Sequence, residues 1–349
     1  MKTAVNVIIG IITTAVAILT LLATVSAYAP TSAFFSALSV FVVFFPILIA
    51  MDVLLFLHWL FNGKFLMSLA IAAVLILSLP QLLHIVSLSP ELESRENDGG
   101  IKILSCNVKF FGFSEEECDT TLAYLNASGA DILCLQEFGY YTGKQPSLGR
   151  IKSKLKQYPY MHISKGSGTP KGIQKHIVTF SKFRMAGKKE IDLMSPYHRA
   201  IVSDIIVNED TLHVFNCYLE SNKLTQDEKQ FYDDASLQNI FKKLSDASVK
   251  RNAQAEIISR TIGQSPEHTI ICGDFNDVPN SKTYNLLRGN TNDAFLSLRR
   301  GLGITFHEGI YNFRIDYIFA SQDVELLNFS LDKQDISDHY PIMATVKPY

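Results

Sequence analysis

The first ninety residues constrain the fold most. Three apolar stretches, Val5 to Ala29, Ala33 to Phe61 and Phe65 to Leu88, follow one another with only "PTS" and "NGK" between them. Each exceeds the roughly 20 residues that span a bilayer as a helix. The pattern predicts a three-span membrane anchor over residues 1–90. The first stretch ends in "AYAP", a passable cleavage site, but its apolar core is long for a signal peptide and two further stretches follow. Lys2 and Lys64 put the N-terminus and the second connection on the cytoplasmic side. The linker over residues 91–100, with "ELESREND", is then expected on the extracytoplasmic side, together with everything after it. Asp52 and His58 lie inside the second stretch, and an ionisable group at membrane depth is a functional hypothesis by default. Asp52 is expected to hydrogen-bond within the helix unit, with a transport or relay role as the alternative. His58, Trp59 and Lys64 fit an interfacial belt.

After "ENDGG" the texture changes to short β-rich runs: "IKILSCNV", "DILCLQEF", "HIVTFSKF", "AIVSDIIV", "LHVFNCYL", "HTIICGDF", "FRIDYIFAS" and "PIMATV". Several are nearly all apolar, as strands covered on both faces are. Helical patterns separate them, at Ser114 to Ala127 and from about Asp227 to Ile262. The reading is one mixed α/β domain over residues 101–349, with sheets inside and helices outside. That part carries 29 basic and 29 acidic residues, whereas a general nucleic-acid binder is more often basic. Its five cysteines, Cys106, Cys118, Cys134, Cys217 and Cys272, sit in apolar or helical runs without metal-binding spacing. They are expected as small buried hydrophobes, with a disulfide left open by the extracytoplasmic placement.

Apolar strands here repeatedly end in a carboxylate, carboxamide or imidazole. "LSCNVK" ends in Asn107, "CLQEF" in Glu137, and "NCYLES" holds Asn216, Tyr218 and Glu220. "GDFND" gives Asp274 and Asn276, "RIDYIF" gives Asp316, and "SDHYP" gives Asp338 and His339. One such residue is an ordinary turn former; six ends in one domain are a pattern. Oxygen ligands without thiolates suit a hard cation, Mg²⁺ or Mn²⁺. With a histidine beside a carboxylate, this is the inventory for metal-assisted hydrolysis of a phosphate ester.

The ordered set "SCNVK", "LQEF", "GDFND", "RIDYIF" and "SDHYP" resembles the endonuclease/exonuclease/phosphatase superfamily, the DNase I-like metal-dependent phosphoesterases, over residues 101–349. The resemblance implies a four-layer α/β sandwich of two mostly antiparallel sheets flanked by helices, with the site at one edge. It implies Glu137 as main metal ligand with Asn107 beside it, and Asp338 as a further ligand. Asp274 would position or deprotonate the attacking water, and Asn276 would hold the scissile phosphate. Asp338 and His339 would form a dyad at the phosphate, His339 stabilising the developing charge. Asp316 would lie at the site, Tyr218 and Arg199 near the phosphate. His307 would line the pocket, and His198 and Glu220 fit a solvated surface at least as well as a role at the site.

The resemblance leaves the substrate open, since family members cut DNA, RNA, sphingomyelin-like phosphodiesters and phosphoinositides. "ICGDFNDVP" departs from the phosphoinositide-phosphatase signature. The anchor points to a phospholipid; nucleic acid is the alternative, and a non-catalytic membrane binding protein is a third class. From Lys144 to Lys189 there are twelve Lys or Arg and no acid, either a solvated surface or a face for an anionic partner.

Overall fold

In this computed structural model the described residues are 2–30, 38, 40–90, 99–112, 114–141, 146–168, 173–222, 234–264, 267–309 and 311–348. The linker "ELESREND", Lys144, Lys171 and the start of the Asp227 helix lie outside them. The chain forms two compact units. One comprises Met1–Val86, Ser221–Ala253 and Val278–Asn285; the other comprises Ser87–Glu220, Gln254–Asp277 and Leu286–Tyr349.

The first unit is built on helices Lys2–Ser26, Phe45–Phe61 and Phe65–Ile85. Large apolar side chains such as Val7, Ile11, Leu54, Phe61, Leu66 and Ile76 are exposed on their outer faces. Polar groups are inside. Thr20 Oγ1 lies 2.6 Å from Asp52 Oδ2, Thr24 Oγ1 lies 3.0 Å from Ser78 Oγ, and Trp59 Nε1 donates to Thr13 Oγ1 at 2.9 Å. Asp52 therefore bonds within the helix unit as expected, whereas Trp59 is buried there rather than belted at an interface. Among the described residues two helices, Ala4–Ser26 and Phe65–Ile85, are long and apolar enough to cross a membrane, not three. The middle one has 17 residues and begins beside Pro46. At 1.5 Å per residue it is about 25 Å long, short of the roughly 30 Å hydrocarbon core.

The second unit holds two mixed sheets flanked by helices. In chain order its strands are β1 (Ile101–Asn107), β2 (Ile132–Tyr141), β3 (Tyr160–Ile163), β4 (Ser167–Gly168), β5 (Ile173–Ser181), β6 (Met185–Ile191), β7 (Arg199–Val207) and β8 (Asp210–Tyr218). Then come β9 (Thr269–Asp274), β10 (Asn292–Asp293), β11 (Phe306–Glu308), β12 (Tyr311–Phe313), β13 (Asp316–Ala320), β14 (Val324–Leu331) and β15 (Ile342–Pro348). One sheet runs β14-β15-β1-β2-β5-β3, with β4 also on β5; the other runs β10-β13-β9-β8-β7-β6. Among the described strands only β1–β2 and β8–β9 pair in parallel. Ile103, Ile132 and Cys134 of the first sheet pack with Val214, Ile270, Cys272 and Ile318 of the second. The outer face of the first sheet packs Leu104, Leu133 and Leu135 against Leu122 and Leu125 of the helix Glu115–Ala127. That helix starts on a capping box between Ser114 and Glu117. All five cysteines are buried and free.

β9 lies against β8 with no room for a side chain at Gly273. Its φ is +135°, and a Cβ there would sit 2.0 Å from the Cys217 carbonyl oxygen. Gly273→Ala is expected to destabilise this unit by on the order of 3 kcal/mol, read as a lowered urea midpoint of the full-length protein in detergent.

Candidate active site

β9 ends on Asp274. Register sets Tyr218 of β8 abreast of it on one side and Asp316 of β13 on the other. Asn107, at the end of β1 in the other sheet, donates from Nδ2 to Asp274 Oδ2 at 3.0 Å. The two sheets thus meet at one carboxylate, which is 1% exposed. Asn276 takes a left-handed φ of 53°, and this turn lets its backbone N–H donate to Asp274 Oδ1 at 2.9 Å. Its amide Nδ2 donates to the Leu219 carbonyl at 3.0 Å and reaches Asp274 Oδ2 at 3.3 Å.

Glu137 arrives by a different device. Gln136 points into the sandwich, where its Nε2 donates to Asn216 Oδ1 at 2.8 Å. Strict alternation would turn Glu137 away from that interior. Instead β2 is irregular between Leu135 and Phe138, and Glu137 has φ 46°. Such bulges re-aim side chains near functional sites. Tyr218 Oη donates to Glu137 Oε1 at 2.8 Å. Asn216 proves to be a cross-sheet tie, with no exposed surface.

His339 Nδ1 lies 2.9 Å from Asp316 Oδ2, and its Nε2 is 3.9 Å from Asp274 Oδ2. The carboxylate that holds the ring is therefore Asp316, correcting the expected pairing with Asp338. Asp338 Oδ2 instead accepts from Lys109 Nζ at 2.7 Å. Lys109, the last residue of "NVK", carries no strand-end signal in the sequence and enters the site only through this contact. His198 and Glu220, for which a solvated surface was one of two expectations, are 2% and 4% exposed, with His198 Nδ1 2.7 Å from Glu220 Oε2. Arg199 donates to the Ser195 and Pro196 carbonyls, and its Nε lies 3.5 Å from Glu190. His307 stacks on Tyr340 with centroids 3.7 Å apart, while Phe306 packs edge-on to His339.

Burial pushes the Asp274 carboxyl up to about 7, against the lowering effect of His339. Burial also opposes a charged His339, but Asp316 and Asp274 outweigh it and raise the imidazole to about 10. Burial of Asp338 is outweighed in turn by His339 and Lys109, which hold its carboxyl below the ordinary range. The buried Tyr218 phenol is pushed well above its usual value, so it remains a donor to Glu137. Asp274, Asp316 and His339 offer donor atoms all within 4.8 Å of one another. Four carboxylates, Glu137, Asp274, Asp316 and Asp338, face two cations, Lys109 and His339. Ionised, the set is two charges negative, and its donors are oxygens and one imidazole. Both features fit a hard divalent cation.

The basic segment is partly neutralised at home. Arg150 pairs with Glu115 and Asp119, Lys154 with Asp119, and Lys182 with Asp131. Lys152, Lys156 and Lys188 line a cavity of about 280 Å³ with Tyr158, Tyr160 and Met161. Tyr160 is in register with Ser181, and Ser181 with Ile132, so this cavity lies at the end of the sheet away from Glu137.

Residues 104–339 match the Endonuclease/Exonuclease/phosphatase family, and the chain belongs to that family. Its members are metal-dependent phosphoesterases and nucleases. Solved structures share the fold. An endonuclease/exonuclease/phosphatase family protein from Leptotrichia buccalis is 15% identical, with TM-score 0.53, covering 71% of this chain and 100% of that one. D. rerio TDP2 complexed with single-strand DNA product is 17% identical, with TM-score 0.53, covering 72% and 100%. The 3′ phosphatase NExo from Neisseria, bound to a product DNA hairpin, is 17% identical, with TM-score 0.51, covering 70% and 98%. No curated protein matches the chain by sequence.

The charge arrangement has a pH signature. An imidazole raised above its free value of 6.5 stabilises the folded state fully below about 6.5 and loses that contribution as pH rises through about 10. Asp274, raised from 3.8, likewise contributes less as pH climbs through about 7. The denaturation midpoint of the metal-free protein is expected to fall between neutral pH and about 10. The His339 ring resonances should titrate near the upper end of that range, and Asp316→Asn should move their midpoint down.

Proposed function

We propose that the chain is a membrane-anchored, divalent-metal-dependent phosphoesterase that hydrolyses a phosphodiester, with residues 101–349 as its catalytic domain. The observation that carries it is the convergence of Asn107 and Glu137 from one sheet with Asp274 and Asp316 from the other and His339 from the segment before β15. Glu137, Asn107 and Asp338 would hold Mg²⁺ or Mn²⁺, which supplies a Lewis acid for the phosphoryl oxygen. Asp274 positions the attacking water and takes its proton, a task suited to a carboxyl raised to about 7. His339, fixed by Asp316 and cationic at neutral pH, faces the charge that develops on the phosphoryl group. Asn276, Tyr218 and Arg199 bind the phosphate from the rim.

A phospholipid phosphodiester of the sphingomyelin type is the leading substrate, because the same chain carries apolar helices with apolar outer faces. Lysines 152, 156 and 188 then meet anionic headgroups, with the domain on the extracytoplasmic side of a plasma or inner membrane. The second reading is a surface nuclease, favoured by neighbours whose structures hold DNA product. The full-length protein in detergent with Mg²⁺ or Mn²⁺ should release product from one member of a panel of sphingomyelin-type lipid, phosphoinositides, supercoiled DNA and single-stranded RNA. Glu137→Ala and His339→Ala should each lower turnover by about 100-fold or more. Lipid cleavage settles the first reading and nucleic-acid cleavage the second. Metal binding without any turnover would leave a binding protein.

A further inference from the structure

His198 and Glu220 have no part in the proposed chemistry, yet their side chains are only 3% and 6% exposed. Burying such a pair is costly, and an apolar pair of similar volume is often as stable. Fastening β7 to β8 does not require it, because Arg199 and Tyr218 already pair across the two strand ends. The pair sits just beyond that register position, and its ring faces one residue of the site. His198 packs against the Tyr218 ring with centroids 5.1 Å apart and planes tilted 43°. The imidazole is itself held at one nitrogen, Nδ1 lying 2.7 Å from Glu220 Oε2 and 3.1 Å from Ser195 Oγ. Glu220 is anchored in turn, its backbone N–H donating to Gln254 Oε1 at 2.9 Å.

A tyrosine hydroxyl reaches its partner only if the ring is fixed about two torsions. Here the partner is Glu137 Oε1, 2.8 Å away, on a residue whose backbone is already in a left-handed bulge. We infer that His198 and Glu220 are positioning residues for this reaction: they wall the Tyr218 ring so that its hydroxyl orients the Glu137 carboxylate. The inference rests on the proposed phosphoesterase function. It carries a specific consequence: the pair acts through Tyr218, so its removal matters only while the Tyr218 hydroxyl is present.

A double-mutant cycle reads that consequence, using His198→Ala, Tyr218→Phe and the combination in the full-length protein. Each variant is measured for kcat, KM and, independently of turnover, Mn²⁺ affinity by calorimetry. His198→Ala is expected to lower kcat and Mn²⁺ affinity by about 10-fold each with KM nearly unchanged, as loss of an outer partner of a metal ligand does. The double variant should be no worse than Tyr218→Phe alone. Multiplying effects, or no effect of His198→Ala on either quantity, would overturn the inference. Glu220→Gln keeps the shape of the pair and runs the same cycle should His198→Ala fail to fold. A wild type without turnover would defeat the functional reading, while the Mn²⁺ cycle would still decide the positioning role.

Discussion

Asp274 is a carboxylate taken almost wholly out of water, and the second unit is organised around the need to compensate it. A buried charge is tolerated only with partners of good geometry. Asn107 supplies an amide from the other sheet, Asn276 a backbone N–H from the following turn, and His339 a cationic ring 3.9 Å away. These partners come from separated parts of the chain. The registers of β8, β9 and β13, the close approach at Gly273 and the stacking of the two sheets all have to be right together.

The same compensation gives the site its chemistry. Burial alone would leave Asp274 protonated, and the histidine pulls it back towards ionisation, leaving it poised near 7. Asp316 and Asp274 in turn keep His339 charged despite its burial. One strand edge therefore holds a carboxyl ready to exchange a proton beside a fixed positive charge. Lys109 on Asp338 adds a second cation, yet the acids still outnumber the bases. That surplus is why the site suits a dication.

In the helical unit, Thr20 with Asp52, Thr24 with Ser78 and Thr13 with Trp59 pair between helices beside a small apolar core of Val16, Phe45, Leu48 and Ile49, while other apolar side chains such as Ile11, Leu54 and Leu66 are exposed. Such hydrogen bonds between apolar helices act as interhelical ties. The segment Val278–Asn285 belongs to this unit too. Lys282 Nζ donates to the Ala29 carbonyl at 2.7 Å, and Asn280 and Asn285 donate to the carbonyls of Val42 and Ala27. Nothing local marks this segment, because its partners lie 238 to 258 residues away along the chain.

Periodicity and punctuation made the strands, the helix Glu115–Ala127, the buried cysteines and the set Asn107, Glu137, Asp274, Asp316 and His339 legible along the chain. Those features are local: a run of apolar residues buries itself, and a polar residue at its end is carried to an edge. Partner choice is not local. That His339 leans on Asp316 rather than Asp338, that Lys109 reaches Asp338, and that His198 and Glu220 are buried behind Tyr218 depend on registers between strands far apart in sequence. Alternation tells which face a side chain takes, but only the pairing of strands and the stacking of sheets bring two faces within the few ångströms at which charges and hydrogen bonds act.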